Sequence, residues 1–374
     1  MEIKISKSNF LKAGLMAEKI TGKNLNLPIL SSFLISTQKG KIKITATNLE
    51  IGFEISVPAK IIQEGRVAVP AKIINSIIFN LKDDVLILRK ENSNLKIITD
   101  NSVAILKTNS LDDFPILPKF KKENSFQVKL SHFLGGLKSV FFAASSFYLK
   151  PEIASIYFYN KGNQFIFTAT DSFRLAEKNI LNNNSDILFA LLFPIKSVQE
   201  LIYILNETED KEQLIEICFN KNEFFIFNDV FCFFNRLTEG NFVDYKQIIP
   251  NTSLGEIIID NEKCVNILKT AAIFSNRLNE IILEIYPDRQ IVEFKTSNPE
   301  LGEYYSKSDI LKTGFKDFKG DVIKKSFNLK YLLEGIGQII SPRIIFKINE
   351  EGKPIVIQGE NDLSFIYLVM PMKL

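Results

Sequence analysis

Tryptophan is absent from the 374 residues, histidine occurs once and cysteine three times. The single histidine, His132, follows Ser131 at a helix start and reads as a solvent-facing or cap-neighbouring side chain. Ser-His-Asp and Cys-His nucleophilic arrangements would both have to use it, and no GxSxG elbow accompanies it. Cys218, Cys232 and Cys264 are an odd set without CxxC spacing, which argues against a disulfide framework and a zinc site and for free thiols in a reducing compartment. No GxxxxGK[ST] phrase occurs, and Gly335 with Gly337 lacks the third glycine and the preceding buried strand of a dinucleotide fingerprint. Asp112, Asp113 and the run Glu207, Glu209, Asp210, Glu212 fall in polar, turn-like segments and read as solvated loops. No catalysis, no metal and no cofactor are expected.

Long apolar runs are also missing. The longest, Ile187 to Phe193, is far too short to cross a bilayer. The N-terminal MEIKISKSNFLKAGLMAEK breaks every apolar run with a charge, unlike a signal peptide. A cytoplasmic, soluble chain is expected, with no membrane partner. An apolar fraction of 46% with 24% charged residues excludes disorder as the chain's main state. The abundance of Phe, Ile, Lys and Asn reads as nucleotide-composition bias.

What is present is repetition, which fixes architecture before any single residue is interpreted. TATDSFRLA (Thr168 to Ala176) has an echo about 123 residues earlier in TATNLEIGF (Thr45 to Phe53) and about 127 residues later in KTSNPELGE (Lys295 to Glu303). Val69-Pro70-Ala71-Lys72 and Phe193-Pro194-Ile195-Lys196 each open an apolar helical stretch about 124 residues apart. Asp113-Phe114-Pro115 closes the first unit and Asn241-Phe242-Val243-Asp244-Tyr245 the second. Three domains follow, spanning residues 1–120, 121–250 and 251–374.

Each unit divides into two halves of strand, helix and further strands. The spacing predicts helices over Ser8 to Ile20, Pro70 to Asn80, Leu130 to Phe142, Pro194 to Leu205, Asp260 to Phe274 and Asn328 to Ile340. In the first, Leu11, Leu15 and Ile20 share a face; in the second, Ile73, Ile74, Ile77 and Ile78 do. Between them lie alternating or aromatic runs such as Lys41 to Thr47, Ser155 to Phe158, Phe224 to Phe227 and Ile281 to Ile285. The fold class is α+β, with the helices gathered on one side of antiparallel sheet. If six such modules follow a curved path, sheets make the outer wall and helices the inner lining, and if each domain covers the same arc, three make half of a ring that a twofold-related copy would close. The helix windows hold eight lysines (Lys12, Lys19, Lys72, Lys138, Lys196, Lys263, Lys269, Lys330) against five acids, so the chain's net charge of +3 sits on them. Ordinary solvated helix faces give the same count in many proteins.

TATDSFRLA, EGNFVDY (Glu239 to Tyr245) and YLVMPMKL (Tyr367 to Leu374) resemble signature phrases of the bacterial sliding clamp, the beta subunit of DNA polymerase III. NLPIL (Asn26 to Leu30), TATNLEI (Thr45 to Ile51) and TSNPELGE (Thr296 to Glu303) resemble it as well, from end to end of the chain. The resemblance implies the DNA clamp fold, a head-to-tail homodimeric ring around double-stranded DNA, no sequence specificity and no catalysis. It implies as partners the polymerase III catalytic subunit, the clamp loader and other clamp-motif proteins. A non-encircling scaffold that binds partner peptides alone is the competing reading.

The same resemblance places a peptide-binding pocket at Ile153, Thr170, Ser172, Phe173, Arg174, Leu175, Val243, Ile248, Pro354, Leu368, Met370, Pro371 and Met372. Met-Pro-Met supplies polarisable surface able to accept several partners. Arg174 reads equally as an anchor for the peptide or as an ion-pair partner of Asp171. Phe173 stands where the family has His and Val243 where it has Pro, and both changes keep apolar area. Implied dimer contacts are Ala104 and Leu106, facing out from the strand Val103 to Thr108, and Ile273 with Phe274. DNA-facing candidates are Lys12, Lys23, Asn24, Lys72, Lys138, Tyr148, Lys196, Lys263 and Lys330, with Asn24 replacing a frequent Arg.

Overall fold

The structure is a computed structural model and describes residues 1–22, 27–118, 124–145, 150–182, 187–315 and 320–373. The phrases repeated in the sequence become copies of one turn. After the strand Lys41–Thr47, Thr47 Oγ1 donates to Ile51 O at 2.7 Å and accepts from Leu49 N at 3.0 Å. Asn48 Oδ1 accepts from the amides of Glu50 and Ile51. After Gln164–Thr170 the bonds recur: Thr170 Oγ1 donates to Arg174 O at 2.6 Å and accepts from Ser172 N at 3.1 Å, while Asp171 Oδ1 accepts from Phe173 N and Arg174 N. Leu49 at φ 77° and Ser172 at φ 79° are left-handed, a strained state for residues with a Cβ that these local bonds hold in place. In the third copy Asn298 Oδ1 accepts from Glu300 N, and the positive φ falls on Gly302.

Among the described residues six α-helices stand where the spacing puts them: α1 (Lys7–Ile20), α2 (Ala71–Asn80), α3 (Leu130–Phe141), α4 (Ile195–Glu207), α5 (Asn261–Ile273) and α6 (Leu329–Ile336). Helix α6 ends four residues before the expected Ile340, because Gly335 and Gly337 weaken its last turn and Pro342 bars helical geometry just beyond. The expected faces hold in part, with Ile20, Ile74 and Ile78 buried, and are offset elsewhere. Helix α1 buries Phe10, Ala13, Gly14, Met16, Ala17 and Ile20 and leaves Leu15 exposed. Helix α2 buries Ala71, Ile74, Asn75 and Ile78 and leaves Ile73 exposed. Close approach explains the shift: a Cβ on Gly14 would lie 2.3 Å from Asn75 Oδ1, so small residues rather than leucines mark the stripe where α1 meets α2. Among the described residues no helix is long and apolar enough to cross a membrane.

The chain packs as two compact units, the first built mainly from Met1–Leu134 and Lys196–Leu237. Its larger sheet has eight strands in the order Asn124–Lys129, Leu214–Phe219, Glu223–Phe227, Phe231–Arg236, Ile51–Pro58, Lys41–Thr47, Ser32–Gln38 and Arg66–Pro70. Its smaller sheet has five: Lys60–Gln63, Glu2–Ser6, Val85–Glu91, Asn94–Ile98 and Val103–Lys107. The second unit carries a nine-stranded sheet in the order Ala190–Pro194, Ser155–Lys161, Gln164–Thr170, Arg174–Leu181, Asp362–Val369, Ile355–Gly359, Arg343–Ile348, Gly255–Asp260 and Lys312–Phe315. A four-stranded sheet completes it: Gly302–Asp309, Ile291–Asn298, Glu280–Tyr286 and Ile323–Asn328. Neighbouring strands are antiparallel throughout.

Both large sheets are sewn across repeats at equivalent places. The strand after the first repeated turn, Ile51–Pro58, pairs with Phe231–Arg236 of the second repeat, with Phe233 opposite Phe53. The strand after the second turn, Arg174–Leu181, pairs with Asp362–Val369 of the third, with Leu175 opposite Leu368. The strand after the third turn, Gly302–Asp309, is bonded on one side only. Its counterpart at the other end of the series, Val103–Lys107, is likewise bonded on one side only.

The packing makes adjacent glycines of α3 respond oppositely to a methyl group. A Cβ on Gly136 would lie 2.3 Å from the buried Phe167 ring, whereas one on Gly135 meets nothing within 4 Å. Gly136→Ala is expected to lose about 1–3 kcal/mol to overpacking. Gly135→Ala is expected to be neutral or to gain up to about 1 kcal/mol from helix propensity. Urea-unfolding midpoints of the two variants check the sign of each.

Candidate functional site

The second repeated turn forms the lip of a cleft on the nine-stranded sheet. Ile153, Thr170, Ser172, Phe173, Arg174, Leu175, Val243, Ile248, Pro354, Leu368 and Met370 line it, around a cavity of about 170 Å³. Eleven of the thirteen residues expected in the pocket thus converge. The floor comes from the seam between repeats, where Leu175 and Leu368 are nearly inaccessible and pack with Tyr245 and Val356. The rim is apolar and open: Phe173 is 62% exposed, Ile248 48% and Val243 40%. A cavity this small with exposed apolar walls suits a short side-chain anchor better than a polar metabolite.

Pro371 and Met372 lie outside the lining. Met370 N donates to Phe173 O at 2.8 Å, tying the tail to the lip, and two residues on Met372 N donates to Ser326 O at 2.8 Å. The tail therefore leaves the cleft and joins the edge of the four-stranded sheet.

Arg174 is committed inside the protein. Its Nε binds Asp171 Oδ2 at 2.9 Å, Nη1 binds Glu334 of α6, and Nη2 donates to Phe142 O at 2.6 Å. Its guanidinium lies 4.2 Å from the Tyr331 ring centroid, and the side chain is 9% exposed. Of the two readings the sequence allowed, the ion pair with Asp171 is the one formed, and every guanidinium nitrogen has a partner within the fold. Arg174 thereby holds the lip against α6.

Opposite the lip, the segment carrying Val243 and Ile248 contains one short 3-10 turn, Tyr245–Ile248. Tyr245 is 3% exposed and its hydroxyl donates to the buried Glu177 carboxylate. Burial, and then the charge of Glu177, push the Tyr245 hydroxyl far above the usual phenol range, so it remains a donor at any working pH. Sequence reading missed Glu177, Glu334 and Tyr331. The available signal was a carboxylate three residues after Arg174, directly following the apolar pair Leu175 and Ala176.

The described DNA-facing candidates fall on all six helices: Lys12 on α1, Lys72 on α2, Lys138 on α3, Lys196 on α4, Lys263 on α5 and Lys330 on α6, with Lys7 and Lys19 also on α1 and Lys269 also on α5. Lys12 pairs with Glu209 at 2.6 Å and Lys263 with Asp309 at 3.2 Å, both at accessible positions, and Lys330 sits 3.9 Å from Glu334. Lys23, Asn24 and Tyr148 lie outside the described residues.

The edge strand Val103–Lys107 corrects one expectation. Ala104 and Leu106 do not face out: they sit opposite Ile97 and Leu95, which are buried, and Leu106 is itself 8% exposed. Strand alternation turns Val103 and Ile105 outward instead, each 63% exposed. At the end of α5, Ile273 is exposed, and Phe274 stacks on Tyr304 of the edge strand Gly302–Asp309 with ring centroids 5.9 Å apart.

Three family models describing the DNA polymerase III beta subunit match in order: the N-terminal domain over residues 1–118, the central domain over 127–244 and the C-terminal domain over 246–373. The chain belongs to this family. The beta sliding clamp of Staphylococcus aureus is 24% identical to this beta-subunit chain over 382 residues, covering 100% of the chain and 99% of the relative. That of Staphylococcus epidermidis is 22% identical with the same coverage. Among solved structures, the sliding clamp of Bacillus subtilis has a TM-score of 0.92 at 22% identity, covering 100% of this chain and 99% of that one. The beta subunit of Streptococcus pyogenes has a TM-score of 0.91 at 22% identity, with both chains covered in full. The three-domain α+β clamp fold is thus shared along the whole chain.

Because Arg174 braces the lip through part-buried partners, Arg174→Ala is expected to destabilise the fold by about 1–3 kcal/mol: Asp171 loses its cation, and Glu334 keeps only the accessible Lys330. Arg174→Lys keeps the charge but not the three-way contact and is expected to recover less than half of that loss. Chemical denaturation of the three proteins without any peptide provides the comparison.

Proposed function

We infer that this beta-subunit chain is a DNA sliding clamp: two copies join head to tail, enclose duplex DNA without reading its sequence, and keep a polymerase attached during synthesis. Its domains are residues 1–120, 121–250 and 251–374. The observation that carries the reading is two of the sheet-edge strands, Val103–Lys107 and Gly302–Asp309, each bonded on one side only among the described residues. Within the chain each repeat is joined to the next through the strand after its repeated turn, and the two strands left without such a partner are equivalents of those already joined. An open sheet edge is a template for another chain, and two complementary edges on one chain favour a head-to-tail contact. Exposed Val103 and Ile105 beside one edge, and Ile273 beside the other, supply apolar area for that contact.

A ring holds its cargo by topology, so strong phosphate contacts would only slow movement. At least one lysine on every helix of a chain of net charge +3 fits a mild attraction. The cleft at Phe173, Leu175, Val243, Ile248 and Leu368 receives linear motifs with apolar anchors from the polymerase, the clamp loader and other replication and repair proteins. The protein works in the cytoplasm and performs no chemistry itself.

Loading onto nicked circular DNA by a clamp loader is expected to give a complex that survives high salt and dissociates once the circle is linearised. Equal retention on linear and circular DNA would favour the non-encircling scaffold instead. Ile105→Glu places a charge in the apolar joint and is expected to raise the dimer dissociation constant by more than about 100-fold. Sedimentation at micromolar concentration reads it, and a wild-type chain already monomeric there would count against the ring.

A further inference from the structure

The wall of the cleft that carries Val243 and Ile248 belongs to a connection with little regular structure, yet it hangs from a buried polar cluster. The Tyr245 hydroxyl meets groups on three adjacent strands: Tyr159 Oη at 2.8 Å, Thr168 Oγ1 at 3.1 Å and the Glu177 carboxylate. Lys246 Nζ reaches the same Glu177 oxygen at 2.5 Å from the accessible side. Thr168 and Glu177 are direct cross-strand partners, so the acceptor and one donor are fixed by register. Tyr245 N donates to Val243 O at 2.8 Å, and the 3-10 turn runs from Tyr245 to Ile248. Tyr245 also packs on Leu175 and Leu368, the floor of the cleft.

A carboxylate that is 2% exposed is an expensive way to hold a sheet together. Burying a charge costs several kcal/mol before its partners offset it, and an apolar substitute of similar volume often serves stability as well. What the charge adds is position, since an apolar contact lets the segment slide and a hydroxyl aimed at one carboxylate does not. We propose that Glu177, acting through Tyr245 and Lys246, is a positioning residue for the peptide cleft, holding Val243 and Ile248 at the place where an apolar anchor meets them. This rests on the reading of the cleft as a peptide site.

The test is titration of a fluorescein-labelled clamp-motif peptide against the full-length protein, Tyr245→Phe, Thr168→Val and a chain lacking Met370–Leu374. Wild type is expected to bind and the shortened chain to lose binding; a wild type that does not bind the peptide overturns the site reading on which the proposal rests. Given wild-type binding, Tyr245→Phe is expected to weaken affinity about three- to tenfold, the equivalent of one hydrogen bond, with Thr168→Val changing it in the same direction. Equal affinity within about twofold for a folded Tyr245→Phe overturns the proposal. If Tyr245→Phe does not fold, Thr168→Val decides by the same criterion. The same hydroxyl removal is also made on a Val243→Ala, Ile248→Ala background. A positioning role predicts that the added loss disappears there, because the side chains being positioned are gone, and a loss of the original size on that background overturns it.

Discussion

Main-chain pairing between the edge of one repeat and the edge of the next is the constraint on which the rest of the structure depends. At Phe53 opposite Phe233 and at Leu175 opposite Leu368 the ladder does not stop at the boundary between sequence repeats, so repeats become sheets of eight and nine strands. Backbone groups that would otherwise need water or a cap are satisfied by the neighbouring copy. The turn that starts each joining strand is correspondingly overdetermined, with a threonine hydroxyl and an Asx side chain closing it from both sides.

The candidate site is a by-product of the second seam. Leu175 and Leu368 face each other because of register, and the cleft opens above them where the lip and the Val243–Ile248 segment leave a gap. Two buried ionic groups on one strand secure its sides, Arg174 toward α6 and Glu177 toward Tyr245. A preorganised apolar groove of this kind gives up little conformational entropy on binding, and that spares affinity that a mobile groove would lose.

The repeat made most of this legible in the sequence. The Thr-Ala-Thr phrases gave the turns, the regular intervals gave six helices, and the signature phrases hold eight of the eleven residues that line one cleft, the resemblance supplying Ile153, Ile248 and Pro354. The α1 face was misread in part because Leu11 and Leu15 outweigh Ala13, Gly14 and Ala17 in hydrophobicity, whereas close packing of α1 on α2 selects the small residues. Ala104 and Leu106 were placed on the wrong side of their strand by the resemblance, and alternation by itself does not say which set is covered. The tail was expected in the cleft through Met372, but after Met370 its amides pair with a different sheet. Arg174 could not be resolved from sequence, since Glu334 and Tyr331 approach it from about 160 residues away.

The equivalence of the joined and the one-sided strands has a consequence for how such chains are partitioned. If the contact between polypeptides copies the contact within them, a closed assembly is defined by how many repeats complete a turn. Where the covalent chain happens to be interrupted is then a secondary matter, and fusing or splitting genes at a seam would leave the circumference unchanged.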